Sequence, residues 1–234
     1  MLLATVASAS AQRISKETVI VNGAKRTYYL FVPDAAKAAP GPLLIMLHGS
    51  GRDGRILLDH WQSLAKKEGI VLVGPDATVR DGWGRDDGPW LFKKVIDSVQ
   101  EKVTFDPRRM YVFGHSAGAI HGLSIGLLES EYFAAVAVHA GVLSREGTSQ
   151  VGSAPRKIPI ALWVGTKDPL FPLDQVRITH KILEQRGFKP ELTEIPDHTH
   201  DYYSRSSEIN KQVWTFLQDK HLDRDPQYQD YLVR

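Results

Sequence analysis

At 234 residues, with 42% hydrophobic and 24% charged side chains, the chain has the balance of an ordinary globular protein with one sizeable core. Its formal net charge of +2, from 29 basic and 27 acidic residues without a long run of Lys or Arg, speaks against nucleic acid as a partner. The absence of cysteine excludes disulfides, thiolate metal sites and a cysteine nucleophile together.

Residues 1–11, MLLATVASASA, are small and apolar and end in an A-x-A pattern before Gln12, which reads as the remnant of a signal peptide. Residues 12–234 are then expected to form a single domain, secreted or periplasmic, or cytoplasmic if the segment is only a terminus. No later apolar stretch is long enough to span a membrane as a helix.

A hairpin is predicted next: Thr18 to Val21, the turn Asn22-Gly23, then Arg26 to Val32, stopped by Pro33. After a Pro- and Ala-rich link, Leu43-Leu-Ile-Met-Leu47 is an unbroken apolar run, as expected of a strand covered on both faces. Similar runs follow at 70–73, 110–113, 134–138 and 158–164, and the more polar 191–195 suits an edge strand. Helical patterns separate them at about 55–68, 88–103, 116–130, 173–187 and 204–220. The pattern predicts an α/β fold: a mostly parallel eight-stranded sheet flanked by helices, with its site at the carboxyl ends of the strands. The weakly patterned stretches 76–88 and 140–157 are the candidate loops over that site.

Gly114-His115-Ser116-Ala117-Gly118 directly follows the run 110–113 and opens a helical pattern. This is G-x-S-x-G in the strand-turn-helix setting that holds a serine hydroxyl exposed on a sharp bend. A serine hydroxyl is a weak nucleophile, so an imidazole must take its proton and a carboxylate must fix that imidazole's tautomer. Asp168, in Gly165-Thr-Lys-Asp-Pro169 just past the run 158–164, is the candidate acid, ahead of Asp174 and Asp197. His200 in Pro196-Asp-His-Thr-His-Asp-Tyr-Tyr203 is the candidate base, with His198 as the alternative; His180 lies inside a helical segment and His221 at the end of the last one. His198 and His200 find no motif supplying further ligands, so no metal is expected. The turn His48-Gly49-Ser50-Gly51 matches no phosphate-binding spacing. It suits an oxyanion site, with Ser50 (or Gly49) and Ala117 as backbone donors and His48 as a brace.

With these segments the chain resembles the α/β-hydrolase superfamily from residue 18 onward. More narrowly, Tyr28-Tyr-Leu-Phe-Val-Pro33, Leu47-His-Gly49, Phe105-Asp-Pro-Arg-Arg-Met-Tyr-Val-Phe-Gly114 and Gly165-Thr-Lys-Asp168 resemble compact esterases grouped with poly(3-hydroxybutyrate) depolymerases and feruloyl esterases. His200-Asp-Tyr-Tyr is similar to the His-x-Tyr-Tyr stretch of S-formylglutathione hydrolases, in which the histidine is the general base. The resemblance implies a cofactor-free serine esterase acting on a small-molecule ester through an acyl-enzyme on Ser116. The missing disulfides and polymer-binding module argue against polymer degradation. The short connection between 134–138 and 158–164 implies no large cap and an open pocket, with Trp83, Trp90, Phe171 and Tyr202 as candidate lining. The same triad would also serve a peptidase or an acyltransferase, and the fold without its chemistry would serve a binding protein.

Overall fold

The computed structural model describes residues 12–229; the expected leader at 1–11 lies outside the described residues. Asn22 and Gly23, at φ 50° and 79°, make the left-handed turn that a tight hairpin requires, and β1 (Ser15–Val21) pairs antiparallel with β2 (Ala24–Phe31) from Val21↔Ala24 onward. The remaining strands are β3 (Gly41–Leu47), β4 (Val71–Pro75), β5 (Phe105–His115), β6 (Ala135–His139), β7 (Ile160–Gly165) and β8 (Glu191–Ile195). They form one sheet in the order β1-β2-β4-β3-β5-β6-β7-β8, parallel from β4 to β8. The apolar run at 43–47 thus lies near the middle of the sheet, and the polar run at 191–195 forms its edge.

Alternation along the strands sends successive side chains to opposite faces. Leu43, Ile45, Leu47, Val112 and Val138 pack toward α3 (Pro89–Gln100), α4 (Ala117–Leu128) and α6 (Leu173–Gln185). Leu44, Met46, Tyr111 and Phe113 pack toward α2 (Arg55–Glu68) and α7 (Ser206–Leu217). Both faces are therefore covered, which accounts for the unbroken apolar strands. Two short helices lie in stretches expected to be irregular, α1 (Asp34–Ala38) and α5 (Arg145–Gln150). Only α5 interrupts the link from β6 to β7, so no cap domain stands over the sheet among the described residues.

Candidate active site

At the end of β5 the chain turns into α4 through Ser116, whose φ of 58° and ψ of −121° are a conformation that L side chains rarely adopt. The turn is held by Ser116 N–H donating to His139 O at 3.1 Å and by Ala119 N–H donating to Ser116 O at 2.9 Å. It is closed by contact that excludes a side chain. A Cβ on Gly118 would lie 2.0 Å from Leu47 O, and one on Gly114 would lie 2.2 Å from Gly118 O. The close crossing of β3 and α4 presses the turn after β3 against the serine; the Cβ position of Gly49 is 3.2 Å from Ser116 Cβ.

The acid and base loops meet above this turn. Lys167 N–H donates to His198 O at 2.9 Å, joining the loop after β7 to the loop after β8. Asp168 Oδ2 accepts from His200 Nδ1 at 3.0 Å, and His200 Nε2 lies 2.9 Å from Ser116 Oγ. An ionised carboxylate only accepts, so Nδ1 carries the imidazole proton and Nε2 is left to accept from the serine hydroxyl. The other carboxylate oxygen, Oδ1, accepts Leu170 N–H and Phe171 N–H, both at 2.9 Å, and the Asp168 side chain is fully buried. Asp168 therefore caps its own turn and faces the base at once. Asp174 and Asp197, the weaker candidates, are exposed and ion-paired with Arg177 and Lys167. His198 points away from the serine, its Nε2 3.1 Å from His139 Nε2.

The two sequence candidates for oxyanion donors flank the serine. Ala117 is the first residue of α4, so its N–H has no partner within the helix. Ser50 anchors the neighbouring turn through its Oγ, which donates to Asp81 O at 2.7 Å, and Gly82 sits beside both residues. His48 is buried; its Nε2 accepts Ala77 N–H at 3.1 Å while its carbonyl accepts the Trp83 indole N–H at 2.8 Å. The loop 76–88 is fastened from beneath by Asp87, fully buried, which accepts from Thr78 N and Oγ1 and Gly84 N and is ion-paired with Arg26 on β2.

Two clefts lie beside the serine turn, one of them open on Ser116 itself. One, of about 530 Å³, is lined by Ser116, His200, Ser50, Arg52, Leu170 and Tyr203. The other, of about 860 Å³, is lined by Ala117, Trp83, Trp90, His121, Glu146 and Gln150, so both weakly patterned stretches contribute walls. Trp83 and Trp90 are thus on a cleft wall. Phe171 is half-buried beside the base, its ring parallel to that of His200, at 5.5 Å between centroids and 10° between planes. The expectation for Tyr202 is corrected. It is fully buried among Phe113, His115 and His139 and donates from its hydroxyl to Asn210, and Tyr203 lines the cleft instead. Consecutive residues of a 3₁₀ turn, here Tyr202–Arg205, point roughly 120° apart, so only one of the two tyrosines reaches the cleft.

Sequence reasoning also missed a buried set of histidines under the site: His115, His139 and His198, all under 5% exposed. Burial lowers the affinity of all three rings for a proton, taking His115 down to about 3; Arg205 adds to the effect at His198. In the unfolded chain the same rings take up protons near pH 6.5. Between that pH and the folded values the unfolded state binds more protons, so stability falls as pH falls. Urea unfolding between pH 6.5 and 5 should lose up to about 1.4 kcal/mol per pH unit for His115, whose folded value is near 3, and His115→Leu should flatten the slope. A profile that is level in this range, or equally steep in the variant, contradicts the burial of neutral rings.

The chain matches the family model for phospholipase/carboxylesterase over residues 86–219. It is 30% identical over 161 residues to a bifunctional acetylxylan esterase/xylanase of Neocallimastix patriciarum, a match taking in 66% of this chain and 23% of that protein, so the chain spans about a quarter of the length of this curated relative. Among solved structures, an S-formylglutathione hydrolase from Agrobacterium tumefaciens aligns with a TM-score of 0.69 at 18% identity, covering 88% of this chain and 94% of that one. A CE1 ferulic acid esterase from Anaeromyces mucronatus aligns at 0.71 and 16% identity, covering 89% and 90%. The Pyrococcus horikoshii acylaminoacyl peptidase aligns at 0.74 and 14% identity, covering 95% and 44%. These structural likenesses are of fold; together with the sequence match across more than half of its length, they place the chain in the phospholipase/carboxylesterase family of α/β-hydrolases.

Proposed function

We propose that this protein is a carboxylic ester hydrolase that works through an acyl-enzyme on Ser116. The observation carrying this reading is the unbroken run of contacts Ser116 Oγ, His200 Nε2, His200 Nδ1, Asp168 Oδ2, with each link at 2.9 to 3.0 Å. His200 takes the serine proton as Oγ attacks the ester carbonyl, and the backbone N–H groups of Ser50 and Ala117 receive the charge that develops on oxygen. The imidazolium then protonates the leaving alcohol, and a water deprotonated by the same ring releases the acid. Asp168 stays ionised, holding the tautomer.

The same chemistry divides the two clefts. His200 must reach the leaving oxygen, so the alcohol lies in the cleft that His200 lines, and the acyl group runs past Ser50 and Ala117 toward Trp83 and Trp90. The acetylxylan and ferulic acid esterases among the similar proteins suggest acetyl and aromatic acyl esters as first substrates to try. The test is a panel of p-nitrophenyl acetate, methyl ferulate and the matching anilides and thioesters, read by product formation. Ester turnover above the anilides supports the reading; anilide cleavage without ester preference makes the protein a peptidase, and no turnover of any member contradicts the proposal. Trp83→Ala is expected to raise KM for methyl ferulate by about fivefold to twentyfold, the loss of about 1 to 2 kcal/mol of aromatic contact, with a smaller change for p-nitrophenyl acetate.

A further inference from the structure

We propose that His139 is a positioning residue for the Ser116–His200 pair, acting through a chain of three imidazoles that ties the serine turn to the base loop. The inference rests on the esterase reading above. His139 ends β6, which lies in the sheet between β5, at whose end the chain turns through Ser116, and the edge strand β8, whose following loop carries His200. Its carbonyl accepts the Ser116 N–H. Its ring reaches both sides: Nδ1 lies 3.2 Å from His115 Nδ1, and Nε2 lies 3.1 Å from His198 Nε2. His115 immediately precedes the serine, and His198 stands two residues before the base. One buried side chain thereby touches both segments whose spacing sets the distance from Oγ to Nε2.

The arrangement fits bracing better than metal binding or mere filling. His139 offers one nitrogen to each neighbour, so no single point gathers three ring nitrogens, and no group of His, Cys, Asp or Glu among the described residues is placed to hold a metal ion. A neutral imidazole has one N–H, so His139 donates at one nitrogen and accepts at the other. Both links are satisfied only if the chain runs in one direction throughout. Such directional bonds fix ring orientation, which packing alone leaves loose. The His115 ring also lies against His200, at 5.0 Å between centroids, so orientation set at His139 passes to the base itself. Hydrogen-bonded supports of this kind matter because a displacement of about 1 Å at reacting atoms costs about 10²-fold in rate.

The test compares His139→Leu, which removes both bonds, with His139→Gln, which keeps one donor and one acceptor. With p-nitrophenyl acetate, His139→Leu should lower kcat by about 30- to 100-fold with KM within twofold, and slow fluorophosphonate labelling of Ser116 by the same factor. His139→Gln should recover about tenfold of that loss. Should the leucine variant fail to fold by circular dichroism, His198→Leu breaks one link nearer the surface and should lower kcat about fivefold to tenfold without changing KM. Folded leucine variants with wild-type kcat, or a glutamine variant as slow as the leucine one, overturn the inference. A wild-type protein inactive on every ester and unlabelled at Ser116 overturns the esterase reading first, and the inference with it.

Discussion

Replacing Ser116 with alanine is expected to lower kcat for p-nitrophenyl acetate by about 10⁴-fold or more, while leaving the thermal midpoint within a few degrees. The substitution deletes only the hydroxyl oxygen that His200 Nε2 faces at 2.9 Å. The backbone bonds that hold the turn, from Ser116 N–H to His139 O and from Ala119 N–H to Ser116 O, do not involve that oxygen. The left-handed φ of residue 116 is equally strained in either residue, so stability should not pay for the change. The turn after β3 and the start of α4 remain, so binding can survive in a variant that no longer turns over. Turnover within tenfold of wild type in a pure, folded Ser116→Ala protein would place the nucleophile elsewhere.

Asp168→Asn should be nearly as damaging, with kcat down about 10⁴-fold and KM little changed. The reason lies in what the two carboxylate oxygens accept. Oδ1 takes two backbone N–H groups, from Leu170 and Phe171, so the oxygen of an asparagine must stay on that side. Its NH₂ group then faces His200 Nδ1 and forces that nitrogen to accept. The imidazole proton moves to Nε2, which can no longer accept from Ser116. The alternative flip sets an NH₂ group against two backbone donors in a fully buried position. Steady-state kinetics on the folded variant decide the point. Activity within tenfold of wild type means that another carboxylate orients the base.

The parts of the fold read most directly from sequence were those dictated locally. The run 43–47 announced a doubly covered strand because all five side chains are apolar, and Asn22-Gly23 announced a hairpin because that turn needs two left-handed residues. Residues 191–195 form β8 at the predicted bounds, and 55–68 form α2. The short α5 escaped because six residues around a glycine show no amphipathic period. At the site, Ser116, Asp168 and His200 stood in turns whose residue types have chemical meaning, and the structure brings these three together. The roles of Phe171, Tyr202 and Tyr203 depend on which way a short turn rotates each side chain, and spacing along the chain does not encode that. The histidine chain was hidden for a similar reason. His139 is a polar residue closing an otherwise apolar strand, which is a usable signal, but its partners lie 24 and 59 residues away and meet only when β5, β6 and the base loop are assembled.

The most direct test of the central claim is to treat the protein with a fluorophosphonate and locate the adduct by peptide mass spectrometry. The account predicts one adduct per chain, on Ser116, formed far more slowly in Asp168→Asn and absent in Ser116→Ala. An adduct on any other serine, or none at all on the folded wild-type protein, would contradict it.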